Sequence, residues 1–128
     1  MTTDNRELLA HLRERLARWQ SVLRLRDWDI ELRFVRQHDL PTDAVGGVTW
    51  GLNARMATVS LLDPVDADPE APESIRDSEA TLVHELVHVV LARVSSTETD
   101  RISYEQGIDA LARALLGLER GDAGGGGE

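Results

Sequence analysis

Apolar residues recur along the first stretch of the chain at helical spacing, with Leu8, Leu9, Leu12, Leu16, Trp19, Val22 and Leu23 on one side and arginines between them. This period predicts an amphipathic helix over residues 4–25, opened by Asp4 and Glu7 as a capping pair, whose stripe covers a sheet. The period then changes to two. Trp28, Ile30, Leu32 and Phe34 alternate with Asp29, Glu31 and Arg33, which predicts a strand with one buried face. Beyond a loop at 37–44 come the runs Gly46-Gly47-Val48-Thr49-Trp50-Gly51 and Met56-Ala57-Thr58-Val59-Ser60-Leu61-Leu62, separated by Leu52-Asn53-Ala54-Arg55. That spacing predicts a β-hairpin. The paired glycines fit an edge strand that another backbone approaches closely, and an edge strand can add an extended peptide through main-chain hydrogen bonds.

Residues 63–79 are rich in Asp and Glu and interrupted by Pro64, Pro69 and Pro72, so they read as a solvated acidic loop. The spacing lacks the glycine and terminal glutamate of a calcium-binding EF-hand loop. An almost wholly apolar run from Ala80 to Val94 predicts a buried helix, capped by Asp77 or Ser78, with Glu79 at its positive end. A polar connector, Ser95 to Asp100, leads to a second helix over 101–118, with Asp100 as its cap. On that helix Tyr104, Ile108, Leu111 and Leu115 form an apolar face, and Glu105, Asp109, Ala112 and Leu116 line its border. Gly107, inside the helix, costs roughly 1 kcal/mol against alanine, which a close crossing with the preceding helix would explain. The expected architecture is α+β: a helix over a small, mostly antiparallel sheet of about three strands, then two helices. Residues 1–120 form the single domain, and the glycine-rich tail 121–128 is expected to be disordered.

Composition narrows the partners. The chain has 128 residues, with 14 Lys plus Arg against 23 Asp plus Glu, a net charge of −9 that disfavours a phosphate backbone. The absence of cysteine excludes disulfides, Cys-ligated zinc and thiol catalysis. No apolar stretch of about 18 residues and no amino-terminal signal pattern are present, so the expectation is a cytoplasmic monomer that engages neither nucleic acid nor membrane.

Chemistry enters at Val83-His84-Glu85-Leu86-Val87-His88-Val89, an H-E-x-x-H pattern inside the apolar run. On a helix, His84 and His88 are about 40° apart around the axis, so both imidazoles reach one ion, and Glu85 flanks the same region as a proton acceptor. Burying these three groups without a partner would cost several kcal/mol, which metal binding removes. Catalytic zinc takes three protein ligands and leaves a fourth position for water. A metzincin would need glycine at 91 and histidine at 94, where the chain has Leu91 and Val94. No histidine follows His88, so a downstream ligand must be a carboxylate. Glu105 can complete a His-His-Glu site, and Asp109 can accept the second ring N–H of a ligating histidine. His11 reads as an exposed residue. His38 reads either as an exposed loop histidine or as an electrophile approaching the site.

His84-Glu85-Leu86-Val87-His88 together with Glu105-Gln106-Gly107-Ile108-Asp109 resembles the H-E-x-x-H plus E-x-x-x-D pattern of the thermolysin-type gluzincin metallopeptidases. The compact order of helix, strand, hairpin, motif helix and glutamate helix is similar to the minigluzincins and implies a zincin-like fold. The resemblance implies Zn²⁺ on His84, His88 and Glu105, Glu85 as general base and acid, and Asp109 as the partner of a ligating histidine. It also implies that Val48, Thr49 and Trp50 form the rim holding a peptide or protein substrate in extended form. Tyr104 or Arg101 is the candidate oxyanion stabiliser, because the histidine that serves gluzincins there has no match. Minigluzincins are known as zymogens closed by a carboxy-terminal segment, so a latent or narrowly specific zinc metalloendopeptidase is expected. Two other readings stay open: a zinc-stabilised binding or scaffold domain without turnover, and a regulatory H-E-x-x-H peptidase that cleaves repressors.

Overall fold

A computed structural model describes residues 3–70, 77–92 and 101–124, with side chains described at 5–70, 77–92 and 105–121. The fold is α+β. Helix α1 (Thr3–Val22) is followed by strand β1 (Asp29–Val35), the hairpin of β2 (Gly46–Gly51) and β3 (Met56–Leu62), and helices α2 (Ser78–Ala92) and α3 (Arg101–Gly124). Single 3₁₀ turns at Gln37–Asp39 and Pro64–Asp66 shape the loops that flank the hairpin. Among the described residues no helix is long and apolar enough to cross a membrane.

Helix α1 stops short of residue 25 because the chain turns through a left-handed residue. Arg24 has φ 62°, its N–H donates to Ser21 O, and the Leu25 N–H donates to Gln20 O at 2.7 Å. This paired closure satisfies the last carbonyls and drops the fully buried Leu25 onto the core. The Gln20 amide then donates to the carbonyls of Leu25 and Trp28, which fixes the approach to β1.

The sheet order is β1-β3-β2. The hairpin pairing is antiparallel, with Gly46 opposite Leu61 and Trp50 opposite Ala57. The outer pairing is not: β1 runs parallel to β3, with Leu32 opposite Val59. The sheet is thus mixed, because the 36–45 connection carries the chain past β3 to the far edge and the hairpin brings β3 back into the centre. Alternation works as expected on each strand. Leu32, Ala57, Val59 and Leu61 are buried beneath the helices, whereas Asp29, Glu31 and Arg33 face outward.

The three helices meet at one acid. Glu79 lies in the first turn of α2 and is 9% exposed. It accepts hydrogen bonds from Trp19 Nε1 at 2.7 Å, Arg15 Nε at 2.8 Å and Arg120 Nη2 at 3.2 Å. Asp77 caps α2 through the N–H groups of Glu79 and Ala80 and also accepts from Arg120. Burial alone would raise the Glu79 carboxyl, but the Trp19, Arg15 and Arg120 hydrogen bonds outweigh it and hold the group below its ordinary range. A carboxylate stabilised in the folded state contributes stability above its unfolded pKa and loses it as pH falls through the folded value. Replacing Glu79 with alanine leaves the buried Trp19 indole N–H without this acceptor and takes one of two carboxylate partners from each of Arg15 and Arg120, and is expected to destabilise the domain by about 3 kcal/mol. Urea unfolding at pH 7 measures this, and the gap between wild type and variant should narrow as the pH falls below the ordinary carboxylate range and the Glu79 carboxyl takes up its proton.

Helix α3 runs six residues past the expected end, to Gly124. Its last turns are held from outside: Glu119 accepts from Arg15 and Arg18, and Arg120 donates to Asp77 and Glu79. The residues from 125 onward, the 93–100 connector and its Asp100 cap lie outside the described residues. The face of α3 against α2 is rotated from the expected one. Ile108, Ala112 and Leu116 are buried, while Leu111 is 43% exposed. The expected close crossing at Gly107 is also absent, since a Cβ added there meets nothing within 4 Å. Gly107→Ala therefore restores helix propensity without a clash and is expected to stabilise the protein by about 0.8–1 kcal/mol, read as a rise in melting temperature.

Candidate metal centre

Helix α2 is apolar on nearly every side. Leu82, Val83, Leu86, Val87 and Val89 are each no more than 1% exposed. The gap in this apolar surface is the line of His84 and His88, which faces α3. The rotation of α3 that exposes Leu111 turns Glu105 and Asp109 toward the same line, because they flank Ile108 and Ala112 on the packed face.

His84 Nε2 and His88 Nε2 lie 3.5 and 3.3 Å from Glu105 Oε1. Their rings are 5.2 Å apart, and one atom from each of the three residues falls within 4.8 Å of the others. A tetrahedral zinc ion bonded at roughly 2.0–2.1 Å spaces its ligand atoms about 3.3 Å apart. The two histidine–carboxylate separations match that spacing, and the three residues could hold such an ion between the two helices. The other nitrogen of His84, Nδ1, lies 3.5 Å from Asp109 Oδ1. A hydrogen bond there selects the tautomer that leaves Nε2 with its lone pair toward Glu105.

Sequence reasoning missed Arg113. Its Nε donates to Asp109 Oδ2 at 2.6 Å, so each oxygen of that carboxylate has its own partner. The signal was an acid and an arginine four residues apart on one helix. Burial alone would raise the Asp109 carboxyl, but Arg113 and His84 together hold it low.

Glu85 occupies the adjoining flank of α2, about 100° around the axis from His84 and turned toward the sheet, and is 7% exposed. Burial pushes its carboxyl up; the neighbouring His84 opposes this and Glu105 adds to it, leaving the group at about 7. A proton acceptor poised near neutrality is what general base catalysis asks of a carboxylate. Strand β2 borders this group. A side-chain carbon at Gly46 would stand 3.4 Å from Glu85 Oε2.

The expected substrate rim is only partly of one kind. Val48 packs against the core and Trp50 shares its face at 41% exposure, whereas Thr49, opposite Thr58, lies on the outer face. What β2 offers along its length is an edge, since among the described residues it pairs with β3 alone. His38 is not drawn in. Its side chain is 77% exposed beside Asp39, in the 3₁₀ turn after β1. His11 is likewise exposed. The side chains of Arg101 and Tyr104 lie outside the described residues. Comparison of the chain with protein-family models, curated protein sequences and solved structures finds no match.

Proposed function

We propose that the protein is a zinc-dependent peptidase of the gluzincin type, acting on an extended peptide or protein segment. The observation that carries this reading is the convergence of His84, His88 and Glu105 from two helices, with a buried carboxylate, Glu85, on the adjoining side of α2. Zinc held by these three residues would polarise a scissile carbonyl and acidify a water molecule at the open position.

The chain's own groups supply the rest. Asp109, fixed by Arg113, orients the His84 ring. Glu85 accepts the proton of the attacking water and returns it to the leaving amine, a transfer suited to a carboxyl near pH 7. The edge of β2, which pairs with β3 alone among the described residues, provides backbone donors and acceptors that pair with a substrate strand and hold it extended. Exposure of Glu105 and Asp109 keeps the centre open to a polymeric substrate on the α3 side.

The deciding experiment titrates zinc into the purified protein and assays cleavage of casein and of a mixed peptide pool. One zinc per chain, with cleavage that a chelator stops and added zinc restores, is the expected result. Zinc that raises the melting temperature at one per chain while every peptide stays intact would overturn the enzyme reading and leave a metal-stabilised scaffold.

A further inference from the structure

The start of β2 is seated on α2 more closely than a side chain permits. A Cβ at Gly46 would lie 2.5 Å from Thr81 Cγ2, 3.2 Å from Ser60 O and 3.4 Å from Glu85 Oε2. Carbon atoms meet comfortably at about 3.5–4.0 Å, so the first contact is a collision and the other two are tight. Gly46 is not among the residues with positive φ, so space is what makes glycine necessary here. Thr81 and Glu85 are one turn apart on α2, and Gly46 faces both from a position opposite the buried Leu61. Thr81 is itself held, because its hydroxyl donates to the Asp77 carbonyl at 3.3 Å. Its methyl group therefore has little freedom to retreat.

We infer that Gly46 and the Thr81 methyl form a positioning contact that sets the distance of β2 from α2 and thereby the placement of the Glu85 carboxylate. Two consequences distinguish this from ordinary packing. Glu85 is bounded by main chain on the strand side, so its carboxylate can be displaced only along α2 or toward the metal-binding face. The same contact fixes the height of the β2 edge above Glu85, so one side chain at residue 46 would shift the base and the strand together. This inference rests on the peptidase reading for its kinetic consequence, but the seating itself can be measured in the metal-free chain.

The test compares Gly46→Ala, Gly46→Ala with Thr81→Ser, and Gly46→Ala with Thr81→Val. Serine removes the colliding methyl and keeps the hydroxyl; valine keeps the methyl positions and removes the hydroxyl. With Gly46→Ala alone, kcat is expected to fall about tenfold or more with KM within about twofold, since a shift of about 1 Å at a reacting group is enough for such a loss. Zinc affinity should hold within about threefold, because the contact made by a side chain at residue 46 falls on Thr81, Ser60 and Glu85 and on none of His84, His88 and Glu105. Thr81→Ser in the double variant should restore kcat and melting temperature, and Thr81→Val should not.

A readout independent of turnover is the carboxyl ¹³C resonance of Glu85 at fixed pH in metal-free, glutamate-labelled protein, assigned by its loss in Glu85→Gln. It should move in Gly46→Ala and return with Thr81→Ser. An unmoved resonance in Gly46→Ala, or an equal displacement in both double variants, overturns the positioning role even if the protein proves to be no peptidase. Loss of turnover in wild type alone removes the peptidase reading and leaves the seating to be decided by that spectrum.

Discussion

Glu85→Gln is expected to abolish peptide hydrolysis, with a fall in kcat of roughly 10²- to 10⁴-fold, while zinc stoichiometry is unchanged. Glutamine keeps the size of the side chain and its ability to hydrogen-bond but cannot take a proton from water. The same substitution should stabilise the metal-free protein above neutral pH. The folded carboxyl sits at about 7 against an ordinary 4.5, so its contribution to stability is intact below about 4.5 and is lost as the pH rises toward 7. At pH 8 the buried charge costs on the order of 3 kcal/mol, which the neutral amide does not incur. Loss of turnover together with a gain in unfolding free energy at pH 8 is therefore the joint result to look for in steady-state kinetics and urea melts. In the metal-loaded form a nearby dication lowers the carboxyl, so kcat/KM should rise with pH through an apparent value below about 7. Wild-type cleavage by the glutamine variant would exclude Glu85 as the base.

Glu105→Ala is expected to weaken zinc binding by roughly two orders of magnitude or more, measured by competition with a chromophoric chelator. The loss removes a ligand outright, so it should exceed the roughly 10- to 100-fold effect expected for Asp109→Ala, which acts only through the orientation of His84. Glu7→Ala, an exposed acid on α1, gives the background. The order Glu105, then Asp109, then Glu7 is the discriminating pattern; equal metal retention in all three would remove α3 from the centre. Affinity should also decline as the pH is lowered, because both imidazoles must be unprotonated to bind.

Much of this arrangement is legible in the chain itself. The change of apolar period from 3.6 to two separates α1 from β1, and two short runs separated by Leu52-Asn53-Ala54-Arg55 give the hairpin. The H-E-x-x-H spacing marks His84, Glu85 and His88, and the lack of any later histidine directs attention to Glu105. What escapes is what local sequence does not encode. Alternation in β1 says which face is buried but not that its neighbour is β3 in parallel, since that depends on where the 36–45 connection leads. Glu79 reads as a complement to the helix dipole; only the packing of three helices shows its carboxylate taking donors from Trp19, Arg15 and Arg120. The glycines near the end of α3 argue for an early stop, and the extension depends on Arg15, Arg18, Asp77 and Glu79, which are far away in sequence. Gly107 invited a packing explanation that the open space around it does not support.

The division of the centre between α2 and α3 has a kinetic side. An ion held, as proposed, by His84 and His88 on one helix and Glu105 on the other would be a removable crosslink between segments joined through residues 93–100. Opening that helix pair would require releasing a ligand before any apolar surface separates, so occupancy should govern the lifetime of the closed pair even more than its equilibrium stability. A protease challenge, with and without chelator, would read that lifetime as a difference in the half-life of the intact chain at one temperature.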